Sequence, residues 1–531
     1  MANRTGCWDY LIVTAANAAQ AAAYEAEIQL RREAGQLAQA KHALVIPDRD
    51  GRRVGSGGST LDCLAEVVRR EAQPGEETSA AGRAEIVLGR LRILIVHAGG
   101  DSRRLPAYSP CGKIFIPLPG GDSRVGSTLF DRLVPPFLGL PAGAPGAGQI
   151  VIASGDALLR FDASAVRLAA AGITALGASA SPEEAARHGV FCPTADGTVR
   201  LYLQKPDLRV QKEMGAIGSN GRALLDAGVM SFDGHAAASL LRAFQAPAAR
   251  EAVLSHGIDL YREICCALGT DATLAHYVRS ARSSGSTLDE ALLAGLFAEL
   301  HPIPLRLQVL EGFSFLHFGS TSQLISSGLE LIAQDRGAPP VNTVLAIDND
   351  IQAGGRIEGR EAWVEGCRLR APLDLARRNV VVGVDVLDSL ELPAGACLDI
   401  SSGLDRNGRG VRFIRCCGVD DTFKRSAGEG ATFCGMPLEE WLRAAGVPLS
   451  SVWDGDTPEA ERTLWNARMF PAEREHGAFR RWLWMFDVAR ATAAEKLAFQ
   501  AADRYSSAEI AVRADHAAFH ARRAALRAAA Q

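Results

Sequence analysis

The stretch 92-RILIVHAGGDSRRLPAYSPCGKIFIPLP-119 decides the fold, because it sets a charged, glycine-containing loop between two apolar segments. Residues 92–96 read as a buried strand, and the chain turns apolar again at 114–119. A charged loop framed by core on both sides is typical of the strand ends of an α/β sheet, where ligands bind. We therefore expect this loop to hold a polyanion.

Strand and helix patterns alternate on both sides of this loop. Apolar runs at 8–15, 42–48 and 149–156 predict strands. The alanine-rich stretch that follows 8–15 predicts a helix with Asn17 as its N-cap, and the glycines of 55–60 predict a turn that feeds a second helix. This alternation predicts a doubly wound α/β sheet.

A second pattern begins near residue 340, where apolar residues recur every six positions. Six-residue spacing predicts a parallel β-helix, in which each coil stacks one inward side chain on the last. The eleven-residue gap after Leu369 is interpreted as a loop that leaves the stack. The two series are Leu345, Ile351, Ile357, Trp363 and Leu369, then Val380, Val386, Leu392 and Leu398.

The last part of the chain, from about residue 437, is alanine-rich and predicts helices joined by a linker at 454–461. Asp515, His516 and His520 fall on one of these helices, where we expect a solvated face rather than a metal site. A chain of 531 residues exceeds one ordinary core. We predict an α/β domain at 1–330, a β-helix domain at 340–435 and a helical C-terminal region at 436–531.

Composition excludes several classes of protein. A net charge of −4 without a run of Lys or Arg argues against nucleic-acid binding. No apolar stretch reaches the roughly 18 residues of a membrane helix, and the N-terminus lacks a signal-peptide core. The cysteines form no CxxC pair, so we expect a reducing cytoplasm, with Cys265-Cys266 and Cys416-Cys417 as small core residues.

The opening loop has the composition of a phosphate cradle. Gly99 and Gly100 let the backbone approach phosphate oxygens closely. Arg103 and Arg104 supply forked, permanent charge, and Lys113 adds a point charge. The alternative is a solvated turn that carries arginines.

Two common phosphate-binding loops do not fit the sequence. A Walker A loop would need Gly where Ala107 stands and Ser or Thr where Ile114 stands. A dinucleotide fingerprint starting at Gly55 would need a third Gly where Thr60 stands. The "GSGGST" stretch (55–60) is therefore as consistent with a plain turn as with a binding site.

Polar residues at further strand ends complete the candidate site. Asp156 follows a predicted strand, either as an oxygen ligand of Mg²⁺ or as the N-cap of a following helix. Lys205 ends another short strand and is placed to meet a second anion. Asp226 and Gly228 stand at the entry to a further strand.

These residues together resemble a known family. "HAGGDSRRLPAYSPCGK" (97–113) and "RVGSGGSTL" (53–61) closely resemble the GDP-fucose pyrophosphorylases, which are L-fucose-1-phosphate guanylyltransferases. The resemblance runs from Trp8 to the helical tail and includes bifunctional fucokinase/pyrophosphorylases. The first stretch also resembles the signature of sugar nucleotidyltransferases but is one residue short, so Arg103 and Arg104 are both candidates for the signature arginine. The other matching segments are "WDYLIVTAANAAQAAAYEAEI", "SGDALLRFD", "ARHGVF", "LQKP", "DAGVMSFD" and "LWNARMFP".

The resemblance implies a Rossmann-like, GT-A-like nucleotidyltransferase domain, followed by a left-handed parallel β-helix and a helical C-terminal segment. By position, Lys113 and the two arginines would be catalytic and serve the triphosphate, while Asp156 would bind Mg²⁺. Lys205, Asp226 and Gly228 would serve the sugar phosphate. The nucleotide-binding positions would be Gly55, Gly57, Gly58, Thr60, Gly99, Gly100 and Ser102.

The implied reaction transfers GMP from GTP to L-fucose-1-phosphate and yields GDP-L-fucose and pyrophosphate, with a separate sugar kinase upstream. The chain stops at Gln531, which leaves no room for a kinase domain, so we expect a stand-alone pyrophosphorylase or a piece of a longer protein. Three alternatives stay open: the same chemistry on a D-arabinose or heptose phosphate, a non-catalytic sugar-nucleotide-binding relative, and a sugar kinase.

Overall fold

The computed structural model describes residues 7–72, 79–100, 102–120, 126–144, 146–338, 340–341 and 343–530. The chain forms two compact units, and the signature loop (residues 97–113) is divided between them after Gly100. The predicted domain boundaries near 330–340 and 435 stay predictions. The first unit comprises Met1–Gly100, Leu133–Gly155 and Leu159–Phe315, and the second comprises Asp101–Arg132, Asp156–Leu158 and Leu316–Gln531.

Nine of the described strands before residue 318 form a single sheet in the first unit. β5 and β11 lie outside that sheet, and each spans a division between the units. In chain order the strands are β1 (Trp8–Ala15), β2 (Ala40–Pro47), β3 (Arg92–His97), β4 (Gln149–Ser154), β5 (Ala157–Arg160), β6 (Ile173–Ala180), β7 (Gly189–Pro193), β8 (Val199–Gln204), β9 (Ala223–Asp233), β10 (Leu305–Val309) and β11 (Ser314–His317).

The sheet order is β10-β6-β9-β4-β3-β1-β2, and β7 joins through β9 and carries β8 as a hairpin partner. The strands β2, β1, β3 and β4 run parallel, whereas β9 is antiparallel to both β4 and β6. The four parallel strands are those predicted from the apolar runs, and they confirm an α/β sheet. Their carboxyl ends form one edge, where His97 pairs in register with Ser154.

The helices of this half are as follows, with α4 spanning a division between the units. They are α1 (Ala18–Glu33), α2 (Gly55–Glu71), α3 (Ala80–Leu88), α4 (Leu129–Leu138), α5 (Pro182–Ala185), α6 (Leu208–Glu213), α7 (Gly234–Ala243), α8 (Pro247–His256), α9 (Leu274–Ser283) and α10 (Glu290–Leu300).

Local signals explain the first two helices in different ways. Asn17 caps α1 as predicted, with its side chain accepting a hydrogen bond from the Gln20 amide. The glycine turn predicted before the second helix is wrong, because α2 begins at Gly55 and includes the glycines. Their small size has a packing reason, since a Cβ on Gly55 would lie 2.3 Å from the Ile258 carbonyl oxygen.

Buried side chains on both faces of the sheet make the core of the first unit. The Cys265-Cys266 pair lies in this core, and Cys416-Cys417 is equally buried in the second unit, which confirms both as core residues. No helix in the described ranges has the length and apolar character needed to cross a membrane.

Short strands dominate the second unit, which also contains five helices in its described part. The helices are α11 (Thr321–Arg336), α12 (Leu438–Ala445), α13 (Ala493–Ala501), α14 (Ser507–Arg513) and α15 (His516–Ala530). The strands are β12 (Val344–Ile347), β13 (Asp350–Ile351), β14 (Arg356–Glu358), β15 (Ala362–Glu365), β16 (Arg368–Leu369), β17 (Pro372–Leu375), β18 (Val380–Val382), β19 (Asp385–Val386), β20 (Leu390–Leu392), β21 (Ala396–Leu404), β22 (Gly410–Gly418), β23 (Thr432–Phe433), β24 (Met436–Pro437), β25 (Phe470–Glu473) and β26 (Arg504–Tyr505).

Three parallel sheets account for residues 344–404. β12-β15-β18-β21 form one sheet, β13-β16-β19 a second and β14-β17-β20 a third. Partners in register lie 16 to 18 residues apart, as for Ile357 with Leu373, Trp363 with Val380 and Leu345 with Trp363. Most residues of the six-residue series are buried. Ile351 is 50% exposed, so the prediction that its side chain points into the stack is wrong.

The gap after Leu369 is not a loop that leaves the stack. It holds β17, which pairs with β14 and β20 and buries Leu373 completely. The six-residue count in fact continues to Leu375, which is buried and pairs with Leu392, and the interruption is the next step, to Val380, which is one residue short.

The C-terminal region is only partly helical. The strands β22, β25 and β26 extend the first parallel sheet through antiparallel pairs, with Phe470 opposite Tyr505. Both side chains are fully buried, and this burial explains why strand pairing prevails over the surrounding helical pattern. The predicted linker at 454–461 contains only a short 3₁₀ turn.

Candidate functional site

The glycines after β3 lie at the carboxyl edge of the sheet in the first unit. The Thr14 hydroxyl oxygen accepts hydrogen bonds from the amides of Ala98 and Gly99, each at 3.1 Å. The Gly99 amide therefore has a partner inside the protein. Gly100 is exposed, and its φ of +120° requires glycine, so it is the more open of the two predicted cradle positions.

Thr60 and His97 form a contact that the sequence did not predict. The Thr60 hydroxyl donates to the Ser56 carbonyl at 2.9 Å and lies 3.0 Å from the His97 Nε2 atom, from which it accepts a hydrogen bond. Burial lowers the pKa of His97 to about 4, so the imidazole is neutral near pH 7. The signal was the position of His97 as the last residue of β3, directly before the glycines.

Two of the other glycines predicted to bind nucleotide, Gly57 and Gly58, have amides that are already used. The Gly57 and Gly58 amides both donate to the Ile258 carbonyl oxygen, at 2.8 and 3.2 Å. They bring the first turn of α2 against the segment that follows α8. This packing explains the glycines without a ligand, and their predicted contact with nucleotide stays a prediction.

Lys113 and Asp156, which are 43 positions apart, meet in the second unit. The Lys113 Nζ atom lies 3.7 Å from Asp156 Oδ2, and His317 Nε2 lies 3.8 Å from the same oxygen. The Lys113 and Asp156 side chains are 19% and 35% exposed, so both remain accessible to a ligand. His317 is an addition that the sequence did not predict.

The structure removes the capping alternative for Asp156. Residues 157–160 form the strand β5, so no helix starts there for Asp156 to cap. No group of three His, Cys, Asp or Glu side chains able to hold a metal is found within the described ranges. Mg²⁺ commonly takes one or two carboxylates and completes its shell with phosphate oxygens and water, and a partly exposed Asp156 fits that donor set.

The remaining loop residues differ in their exposure. Ser102 is buried, has a φ of +53° and accepts a hydrogen bond from the Leu105 amide through its carbonyl. Arg103 is half-buried, whereas Arg104 is exposed and its carbonyl accepts from the Thr321 amide at 3.0 Å. Both arginines remain candidates for the signature position.

A buried cluster within the second unit fixes the middle of the signature loop. The Tyr108 hydroxyl donates to Glu365 Oε2 at 3.1 Å and accepts from the Trp363 indole nitrogen at 2.7 Å. Arg523 of α15 donates to the same Glu365 oxygen at 2.6 Å. Burial raises the pKa of Glu365, and the arginine opposes this effect.

The helix α15 contacts the loop a second time. His516 Nδ1 is hydrogen-bonded to the Pro110 carbonyl oxygen, so the imidazole donates there. Burial lowers the pKa of His516, which is consistent with a neutral donor. The predicted solvated face is therefore wrong for His516, and this face of α15 packs against the loop.

Lys205 lines a cavity of about 740 Å³ in the first unit. It follows β8 directly, has a φ of +48°, and its side chain is exposed. The guanidinium groups of Arg262 and Arg279 line the same cavity. An anion inside the cavity would therefore be attracted by three cationic side chains.

The Asp226 side chain is buried rather than exposed to a ligand. Its carboxylate accepts hydrogen bonds from the Tyr202 hydroxyl at 3.0 Å and from the Gly228 amide at 2.7 Å. Burial raises the pKa of Asp226 to about 6. Gly228 has a φ of +74°, so the carboxylate holds a backbone conformation that favours glycine. This placement favours a supporting role for Asp226.

Comparison with known proteins gives consistent names. The chain is 28% identical over 515 residues to a bifunctional fucokinase/GDP-fucose pyrophosphorylase of Arabidopsis thaliana, covering 88% of this chain and 47% of that protein. It is 28% identical to an L-fucokinase/L-fucose-1-P guanylyltransferase of Bacteroides fragilis, covering 75% and 40%. It is 25% identical to a human fucose-1-phosphate guanylyltransferase, covering 87% and 81%.

The chain thus spans less than half the length of the two bifunctional relatives. A family model described as the fucose pyrophosphorylase domain matches residues 85–475, which include the signature loop, Asp156, Lys205 and the parallel sheets of the second unit. Because this match covers most of the sequence, the chain belongs to the fucose pyrophosphorylase domain family.

Proposed function

We propose that this protein transfers GMP from GTP to L-fucose-1-phosphate and releases GDP-L-fucose and pyrophosphate. The observation that carries the proposal is the pairing of Lys113 with Asp156, at 3.7 Å, in a chain of the fucose pyrophosphorylase family. The choice of fucose as the sugar and guanine as the base follows the names of the relatives given above.

In the proposed reaction a phosphate oxygen of the sugar phosphate attacks the α-phosphorus of GTP in line, and pyrophosphate leaves. No protein nucleophile is needed, so the protein aligns two polyanions and stabilises developing charge. Lys113, Arg103 and Arg104 would supply positive charge to the triphosphate, and Gly100 would allow close approach to it. Lys205 would meet the sugar phosphate.

Asp156 would hold Mg²⁺ through its exposed carboxylate, with phosphate oxygens and water as the other ligands. The ion would supply Lewis-acid stabilisation of phosphate charge when bound. Lys113 lies beside the same carboxylate, and its charge would remain close to the triphosphate. His317 would fix the orientation of Asp156 from the other side.

We also propose that the three parallel sheets of residues 344–404 form a left-handed β-helix. Its support is the recurrence of paired strands every 16 to 18 residues, as for Ile357 with Leu373 and Leu345 with Trp363. The Cys265-Cys266 and Cys416-Cys417 pairs are buried core residues rather than a disulfide framework, and we propose a reducing compartment, the cytoplasm. A separate sugar kinase would provide the sugar-1-phosphate.

A panel of sugar-1-phosphates against the four nucleoside triphosphates, with pyrophosphate release as the readout, tests the proposal. We expect L-fucose-1-phosphate with GTP to be the best pair. Preference for a D-arabinose or heptose phosphate would reassign the sugar while keeping the chemistry. ADP formation from ATP and free fucose would instead identify a kinase, and a silent panel would favour a non-catalytic binding protein.

A further inference from the structure

The helix α9 presents a polar face to the cavity that contains Lys205. His276, Arg279, Ser280 and Ser283 are spaced as i, i+3, i+4 and i+7, which places them on one side of the helix. All four line the cavity. Tyr277 and Ala281 on the opposite side are buried in the core. The polar residues therefore face a space large enough for a small ligand, rather than open solvent alone.

The acidic groups of the cavity wall are already engaged. Asp207 caps α6 by accepting from the Val210 amide at 2.7 Å, and Glu213 is paired with Arg209 at 3.0 Å. Asp259 accepts hydrogen bonds from two backbone amides of the following turn. These carboxylates do not neutralise the cations that line the rest of the cavity.

Two of those cations have no salt-bridge or hydrogen-bond partner for their side chains within the described part of the chain. They are Lys205 and Arg279, one following β8 and the other on α9. Arg262, the third, is paired with the buried Glu263 and donates to the Ser284 carbonyl. An anion in the cavity would therefore meet Lys205 and Arg279 as its available charges.

Neutral hydrogen-bonding groups stand beside these charges. The Nδ1 atom of His276 is buried and has no hydrogen-bond partner among the described residues. The pKa of His276 is lowered by burial and, to a smaller extent, by the nearby charge of Arg279. The imidazole is therefore neutral near pH 7. The Ser280 hydroxyl is 3.9 Å from the Cys266 sulfur, which is a weak contact that a better acceptor would replace.

We infer that this cavity binds the sugar-1-phosphate, with Lys205 and Arg279 on the phosphate and His276 and Ser280 on the sugar hydroxyls. The α9 face then determines which sugar is accepted. The inference rests on the proposed function, which names the substrate but leaves the residues around the sugar unassigned. A site built from hydrogen-bonding side chains accepts a substrate hydroxyl and rejects an analogue that lacks it.

The first test is the kinetics of Arg279→Met. We expect the KM for L-fucose-1-phosphate to rise at least roughly tenfold, as for loss of one charged hydrogen bond, with the KM for GTP and the melting temperature unchanged. The matched control is Arg282→Met on the same helix, because Arg282 donates to the Ser286 carbonyl and lies outside the cavity lining. Equal sugar-phosphate KM values for wild type and Arg279→Met would overturn the inference while leaving the proposed function intact.

The second test is calorimetric binding, which does not depend on turnover. Wild type should bind L-fucose-1-phosphate more tightly than inorganic phosphate or free fucose, and Arg279→Met should bind it more weakly. Ser280→Ala should reduce the preference for the sugar phosphate over inorganic phosphate. Equal affinity for inorganic phosphate and the sugar phosphate would overturn the assignment of the α9 face to the sugar. If wild type turns over no substrate but binds the sugar phosphate through Arg279, the proposed function fails and the cavity assignment stands.

Discussion

Glu365 and Arg523 form a salt bridge of 2.6 Å in which neither side chain is more than 4% exposed. The same Glu365 oxygen accepts the hydroxyl of Tyr108 from the signature loop. The strand β15 and the helix α15 are thereby fixed to the segment that carries Lys113 and the two arginines. This relationship gives the last helix a direct part in holding the candidate site.

Breaking that pair should unfold the protein more easily. Arg523→Met leaves the Glu365 carboxylate buried without its cation, and we expect a loss of about 3–5 kcal/mol in the free energy of unfolding. The double change Arg523→Met with Glu365→Gln should recover much of this loss, because the buried charge is gone. Denaturant unfolding measures both effects, and Arg490→Met serves as control because its partner Asp487 is exposed. Absence of recovery in the double variant would contradict the charge argument.

Lys113 should matter for turnover rather than for folding. Lys113→Met removes a charge 3.7 Å from Asp156, and we expect kcat to fall roughly 10²–10³-fold, as for loss of one electrostatic contact. The melting temperature without ligand should stay within experimental error. The exposed Lys212→Met of α6 is the matched control and should keep normal turnover. A large drop in stability for Lys113→Met would instead identify a structural lysine.

Asp156→Asn tests the proposed role of Asp156 as a ligand of Mg²⁺. An amide keeps the size of the carboxylate but loses the anionic oxygen that Mg²⁺ prefers, so activity should fall steeply. Raising Mg²⁺ or adding Mn²⁺ should restore part of it, and the melting temperature should hardly change. Steady-state rates across a metal titration are the measurement. Normal turnover at every metal concentration would remove Asp156 from the site.

The buried Asp226 should make stability depend on pH. Its pKa is raised to about 6 from 3.8, so the folded state binds the proton more tightly than the unfolded chain does. The charged carboxylate therefore destabilises the fold above pH 6, by up to about 3 kcal/mol, and this effect fades as the pH falls towards 4. Asp226→Asn keeps the acceptor for the Gly228 amide, so it should be more stable than wild type at pH 8 and similar at pH 4.

Thermal melts of both proteins at several pH values measure this difference. Tyr202→Phe is a useful second variant, because it removes one of the two hydrogen bonds to the carboxylate without removing the charge. It should destabilise the protein most where Asp226 is ionised, at pH 8. A gap between wild type and Asp226→Asn that does not change with pH would contradict the titration of this group.

The sequence predicted the features that repeat or that sit at strand ends. Apolar runs predicted β1 to β4, and polar residues after those runs predicted Lys113 and Asp156, which the structure brings together. The six-residue series predicted parallel strands, but β17 was missed because the step from its buried Leu375 to Val380 is one residue short, although Leu375 itself stands six positions after Leu369.

Other features had no local signal in the sequence. Tyr108 and Glu365 are 257 positions apart, and Arg523 is a further 158 positions along, so no spacing rule connects them. The glycines of α2 were read as a turn because their real constraint is the Ile258 carbonyl, about 200 residues away. Contacts between distant segments of this kind depend on the fold and not on a pattern within one segment.

Pro110 is hydrogen-bonded to His516, and Tyr108 is linked to Arg523 through Glu365. These contacts set an order in which parts of the site can form during synthesis. Pro110 of the signature loop is translated 406 positions before His516, whose imidazole helps to hold the loop, and Arg523, which binds Glu365, follows later still. The loop therefore cannot be completed until residues 516 to 523 have been translated, and a polypeptide that stops shortly before residue 516 would contain Lys113 and both arginines without these two contacts.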